Sequence, residues 1–221
     1  MNSQEYKKLS KDLQNLSRII PLDWGSIQSD RIDRNINMFN IHSYIGLENA
    51  INHLNELQKN YFRRRWFLWK CAQCDEYLFY NNNNVKPNPN PKDQSYDIEF
   101  YDDNYLRFDI KGTIIPRAFR TDANAVLNNP SNIVKFFYEK QSKGVRNNIQ
   151  NRLFLVHHSF VKQEREMYLR CHWEFKKQVF EEYSKKISQK SKFIPYNNVI
   201  ADVVFIIENV NRKMSYKINS I

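Results

Sequence analysis

Asp97, Asp109 and Lys111 are the residues of this 221-residue chain whose types and spacing could do chemistry together. They fall in residues 96–117, where polar and apolar positions alternate on both sides of a turn. Ile98 and Phe100 oppose Asp97 and Glu99, and then Leu106, Phe108 and Ile110 oppose Arg107, Asp109 and Lys111. Period two marks a half-buried strand, so the stretch reads as a β-hairpin. Parity sets its register. With Asp102-Asp103-Asn104 as a three-residue loop, Tyr101 faces Tyr105, Glu99 faces Arg107 and Asp97 faces Asp109, all on one side. A two-residue turn would put Asp97 opposite Phe108, on the wrong face. Facing carboxylates repel, so a sheet does not choose them for stability. A divalent cation removes the objection: Asp97, Asp109, the Ile110 carbonyl and water supply oxygen ligands for Mg²⁺ or Mn²⁺. Lys111 then lies one side chain further along the same face.

Asp97, eleven intervening residues, then Asp109-Ile110-Lys111-Gly112 on the second arm of a hairpin resembles the PD-(D/E)XK nuclease superfamily, which includes many type II restriction endonucleases. Tyr96 stands where that pattern often has proline. The resemblance implies an α/β (α+β) fold with a restriction-endonuclease-like αβββαβ core. Its central mixed sheet would have four to five strands flanked by helices, beside an α-helical N-terminal part. It further implies that a helix before the hairpin donates one more acid. Glu76, Asp75 and Glu48 are the candidates, with Glu76 preferred because it is at the helix end nearest the hairpin. The expected activity is Mg²⁺-dependent hydrolysis of DNA phosphodiester bonds by Asp97, Asp109, Lys111 and Glu76. A type II restriction-like homodimer acting on double-stranded DNA is the first choice, followed by a phage-defence or mobile-element nuclease of the same fold.

The formal net charge of +10 points to a polyanionic partner. Nucleic acid is expected rather than membrane, because the chain has no long apolar run and no lipidation motif. Arg117 and Arg120 follow the site strand and could hold phosphates. Arg63, Arg64 and Arg65 could do the same from a helix, and Lys143 and Arg146 from a basic segment. The same features would serve a non-catalytic nucleic-acid-binding protein or, with incidental charge, a protein-interaction scaffold. The N-terminus lacks a signal-peptide apolar region, so a cytoplasmic location is expected. Three cysteines do not suit a disulfide framework. Cys71 and Cys74 have zinc-knuckle spacing but no second pair, so structural zinc is not expected.

The elements positioning these residues can be sketched from pattern. Residues 3–19 read as an amphipathic helix ended by Pro21, followed by a turn at Asp23-Trp24-Gly25-Ser26. Residues 41–57 and 61–80 read as two further helices, and residues 81–93, rich in asparagine and proline, as a loop. After the hairpin, Thr121 or Asp122 caps a short helix and Pro130 opens a second that ends near Gly144. Residues 152–157 form a strand ending in His157 and His158. Residues 163–186 form one long helix and residues 199–207 an apolar strand, with a basic tail beyond. A helical arm over residues 1–60 and a nuclease core over 61–221 are the expected parts.

Overall fold

The computed structural model describes residues 1–20, 36–90, 93, 95–141, 149–189 and 192–219. The expected features at Pro21, residues 23–26 and Gly144, and the basic residues Lys143 and Arg146, lie outside the described residues. Two compact units, 1–74 and 75–221, divide within one continuous helix.

The first unit is helical. α1 (Ser3–Leu16) starts at a capping box in which the Asn2 side chain and Glu5 exchange hydrogen bonds, and it buries Leu13 and Leu16. α2 (Tyr44–Ile51) is opened by Ser43, whose hydroxyl accepts from the Gly46 amide at 3.1 Å. The expected helix over 41–57 is therefore shorter. It ends because Asn55 and Gln58 form a reciprocal cap that starts the next helix, α3 (Glu56–Tyr80), earlier than the pattern suggested.

The last turns of α3 belong to the second unit, and asparagines close them. Asn81 Nδ2 donates to the Tyr77 carbonyl at 3.0 Å, and Asn82 Nδ2 to those of Leu78 and Phe79 at 3.2 and 3.0 Å. The chain then builds a mixed seven-stranded sheet. Its strands are β1 (Val85–Pro87), β2 (Ile98–Phe100), β3 (Arg107–Ile114), β4 (Arg152–Ser159), β5 (Ile194–Tyr196), β6 (Val199–Glu208) and β7 (Met214–Ile218). The order runs β1-β2-β3-β4-β6-β5, with β7 also paired to β6. β2 is antiparallel to both β1 and β3, whereas β4 is parallel to both β3 and β6. β4 is buried throughout, as a central parallel strand must be.

Helices cover both faces. α4 (Ala123–Asn128), capped by Asp122, and α5 (Ser131–Phe136) pack Ile133, Val134 and the following Phe137 against Phe154, Val156, Val203 and Phe205. Alternation along the strands puts Leu153, Asp202 and Val204 on the opposite face, where α7 (Trp173–Lys186) lies and the Tyr183 hydroxyl donates to Asp202 Oδ2 at 2.9 Å. Phe79 at the end of α3 stacks on Phe180 of α7 with ring centres 4.2 Å apart, and Phe100 meets both Phe79 and Tyr183 edge-on.

Three expectations change. The sheet has seven strands, not four or five. β1 lies within the expected loop, where Pro87 is tolerated on an edge strand, and β7 lies within the basic tail. The single helix over 163–186 is two, α6 (Arg165–Leu169) and α7, broken where His172 adopts φ −77°, ψ 64°.

Candidate active site

The hairpin has the register that parity required. Glu99 is opposite Arg107 and Ile98 opposite Phe108. The ladder stops there, and Asp97 meets β3 instead through its amide on the Phe108 carbonyl and its side chain on the Ile110 amide. The connection differs. Phe100-Tyr101-Asp102-Asp103 is a tight turn in which Tyr101 and Asp102 both have φ 56° and the Asp103 amide donates to the Phe100 carbonyl at 3.0 Å. Positive φ at both central positions defines a type I′ turn, which matches strand twist. A single 3₁₀ turn, Asn104–Leu106, follows before β3.

Asp97 stands just before β2. Its amide donates to the Phe108 carbonyl at 2.9 Å, and its Oδ2 accepts the Ile110 amide at 2.7 Å. Asp109 is buried in β3. Its Oδ1 accepts from Lys111 Nζ at 2.6 Å, while its Oδ2 lies 3.5 Å from Arg152 Nε and has no hydrogen-bond donor. Lys111 remains one-third exposed, so its ammonium faces solvent across the pair. Strand alternation therefore places Asp109 and Lys111 on one face, with the acid beneath and the base at the rim.

Glu76 joins this group from the end of α3. The Tyr80 hydroxyl, one helical turn on, lies 3.4 Å from both Glu76 Oε2 and the Asp97 carbonyl oxygen. Burial, with Asp97 and then Asp75 adding negative charge, pushes the Glu76 carboxyl up to about 8. Burial and the neighbouring Asp109 raise Asp97 to about 6. Lys111, paired with Asp109 as Arg152 is, lowers both carboxyls in part, but not enough to offset burial and the neighbouring acids.

Among the described residues, no group of three or more His, Cys, Asp or Glu is gathered closely enough to hold a metal ion. Mg²⁺ commonly takes one or two carboxylates and fills its remaining positions with water. Asp97 and Asp109 meet that smaller demand, and the donor-less Oδ2 of Asp109 is a buried acceptor such an ion would satisfy.

The other sequence candidates have other engagements. Asp75 is ion-paired with Lys176. Glu48 grips Arg63 through two hydrogen bonds, at 2.8 and 2.7 Å, in the first unit. Arg64 is buried, and Arg65 lies over the rings of Phe39 and Tyr61. Arg120 pairs in two-pronged fashion with buried Glu166 at 2.9 and 2.6 Å, and that carboxylate also meets His158 at 3.2 Å. Arg117 is exposed just past β3. Buried His157 faces the Thr113 carbonyl, and burial holds its pKa well below the usual value.

Pattern reading missed Arg152 and Tyr80. Arg152 is the β4 residue paired with Asp109, and it lies over the Tyr138 ring, itself stacked on Tyr196 at 4.4 Å. Aligning β3 and β4 in parallel register would have revealed it. Compared with protein-family models, curated proteins and solved structures, the chain matches none. No described helix is long and apolar enough to cross a membrane.

Proposed function

We propose that this chain is a Mg²⁺-dependent endonuclease of the PD-(D/E)XK type that hydrolyses DNA. The observation that carries the reading is Asp97 beside Asp109 at a hairpin, with Lys111 bonded to Asp109 Oδ1 and the buried Asp109 Oδ2 left without a hydrogen-bond donor. Element order supports it: a helix, three antiparallel strands, helices, then a strand parallel to the site strand, as the resemblance implies.

Asp97 and Asp109 would hold the cation, with Glu76 as a third carboxylate within electrostatic reach. Bound there, Mg²⁺ supplies Lewis-acid polarisation of the scissile phosphate and lowers the pKa of water. Lys111 orients the attacking water and offsets charge developing on the phosphate. Arg152 keeps Asp109 in its rotamer from behind. Glu76, whose carboxyl burial and Asp97 raise, would lose its proton to solvent on cation binding and could then serve as a further oxygen ligand. Exposed Arg117 contacts the phosphate backbone beyond the site strand.

A restriction-type enzyme cutting both strands at one place needs two sites related by a two-fold axis, so that form of the proposal includes a homodimer. A second reading, a nucleic-acid binder without catalysis, draws on the pairing of Asp109 with Lys111 and Arg152, which balances that carboxylate with no metal. Incubating the protein with plasmid, single-stranded DNA and RNA in Mg²⁺ or EDTA separates these. Discrete Mg²⁺-dependent DNA fragments are expected of a restriction-type enzyme and a smear of a nonspecific nuclease. Retarded but intact DNA in Mg²⁺ would leave the binder and end the nuclease reading.

A further inference from the structure

Behind β3, on the face opposite Asp109 and Lys111, the second unit buries charges that the proposed chemistry does not use. Lys176 of α7 is fully buried, and its ammonium pairs with Asp75, itself 2 % exposed. The same Nζ donates to the Arg170 carbonyl at 3.1 Å, an acceptor exposed by the break between α6 and α7. The rings of Trp173 and Phe180 lie 5.1 and 5.7 Å from this ammonium. The Arg170 guanidinium in turn packs against Gly112, where an added Cβ would lie 2.8 Å from its Nη1. Gly112 directly follows Lys111 and points to the other face.

Burying an ion pair is costly, and apolar residues of similar size often stabilise a fold as well or better. The pair therefore calls for a role other than stability, and its place suggests one. Asp75 immediately precedes Glu76. Successive helical residues project about 100° apart, so anchoring Asp75 to α7 fixes the rotation of α3 that turns Glu76 toward Tyr80 and Asp97. Arg170, on the same network, presses on the strand carrying Asp109 and Lys111.

We propose that Asp75, Lys176 and Arg170 form a buried positioning device that sets Glu76 against the Asp97–Asp109 pair. Its functional readouts rest on the metal-dependent nuclease reading. None of the three touches the reacting atoms, so they are positioning residues.

The test is the double variant Asp75→Leu/Lys176→Met, which replaces both buried charges by apolar side chains. Tm is expected within about 4 °C of wild type. Mn²⁺ affinity by calorimetry is expected to fall at least tenfold, and kcat to fall while KM for DNA holds. Unchanged Mn²⁺ affinity and kcat in the folded double variant would overturn the proposal. If that variant does not fold, Gly112→Ala keeps every charge and displaces Arg170. At least a threefold loss of Mn²⁺ affinity with Tm retained is then expected, and no loss overturns the proposal. If wild type neither binds Mn²⁺ nor cuts DNA, the nuclease reading fails, and crystal structures of the folded variant and wild type decide the positioning role. Glu76 leaving the Tyr80 hydroxyl supports it, and Glu76 remaining 3.4 Å away as in wild type ends it.

Discussion

Glu76 and Asp97 are carboxylates that the folded chain prefers to keep protonated, Glu76 with its pKa raised from 4.5 to about 8. The sign follows directly. Below pH 4.5 both folded and unfolded chains hold the Glu76 proton, so the group is neutral to stability. Between pH 4.5 and 8 the unfolded chain loses it while the folded chain keeps it, and stability falls as pH rises. Asp97 adds the same trend between 3.8 and about 6. In EDTA, Glu76→Gln is expected to match wild type in denaturant midpoint at pH 4.5 and to exceed it at pH 8.5, by on the order of a few kcal/mol. Equal stability at pH 8.5 would mean that Glu76 is not confined as described. Stabilisation of wild type by Mg²⁺ should likewise grow from pH 5 to 8, because binding no longer has to displace protons. Lys111→Ala is expected to lower Mg²⁺-dependent cleavage by about two orders of magnitude or more, with DNA affinity little changed. Full activity in that variant would remove Lys111 from the mechanism.

At the scale of elements, the hairpin register was legible because a one-residue slip would have exposed Ile98, Phe100 and Phe108. The turn was not, since Tyr101 and Asp102 are not the glycine or asparagine that positive φ favours. Asp102→Gly should relieve that conformation and stabilise the protein by under about 1 kcal/mol, read as a rise in Tm. A clear fall would show that the Asp102 side chain contributes more than its backbone strain costs. The edge strands β1, β5 and β7 were hidden for a different reason. Each is short and interrupted or flanked by proline or charge, and so carries no period of its own. The break between α6 and α7 was masked by continuous helical periodicity, and is stabilised by Lys176 reaching the Arg170 carbonyl across it. Phe79, fully buried and stacked on Phe180, joins the end of α3 to α7. Phe79→Ala is expected to cost about 3–5 kcal/mol by unfolding in denaturant, and a loss under about 1 kcal/mol would contradict that packing.

At the scale of the whole molecule, the charge of +10 is a property that neither strands nor helices explain. If it serves DNA, the logarithm of affinity should fall linearly with that of salt, by roughly three decades between 50 and 200 mM for six phosphate contacts. Affinity independent of salt would place the charge elsewhere. Of the proposed phosphate ligands, exposed Arg117 is available as the sequence suggested, while Arg63 and Arg120 spend their guanidiniums on Glu48 and Glu166. Charge counting finds such residues but not their partners, because pairing is decided by tertiary contacts far apart in the chain. The acids of the site were legible through strand parity, and Arg152 was not, because its approach depends on the register of β4.

The central claim, that Asp97, Asp109 and Lys111 hydrolyse DNA with a divalent cation, is tested most directly by comparing wild type with Asp109→Asn on supercoiled plasmid in Mg²⁺. Asparagine keeps the shape and removes the charge. Wild type is expected to nick or linearise the plasmid, and Asp109→Asn to be slower by about three orders of magnitude while binding the same DNA within about twofold. Cutting by Asp109→Asn at the wild-type rate, or by wild type equally in EDTA, would contradict the claim.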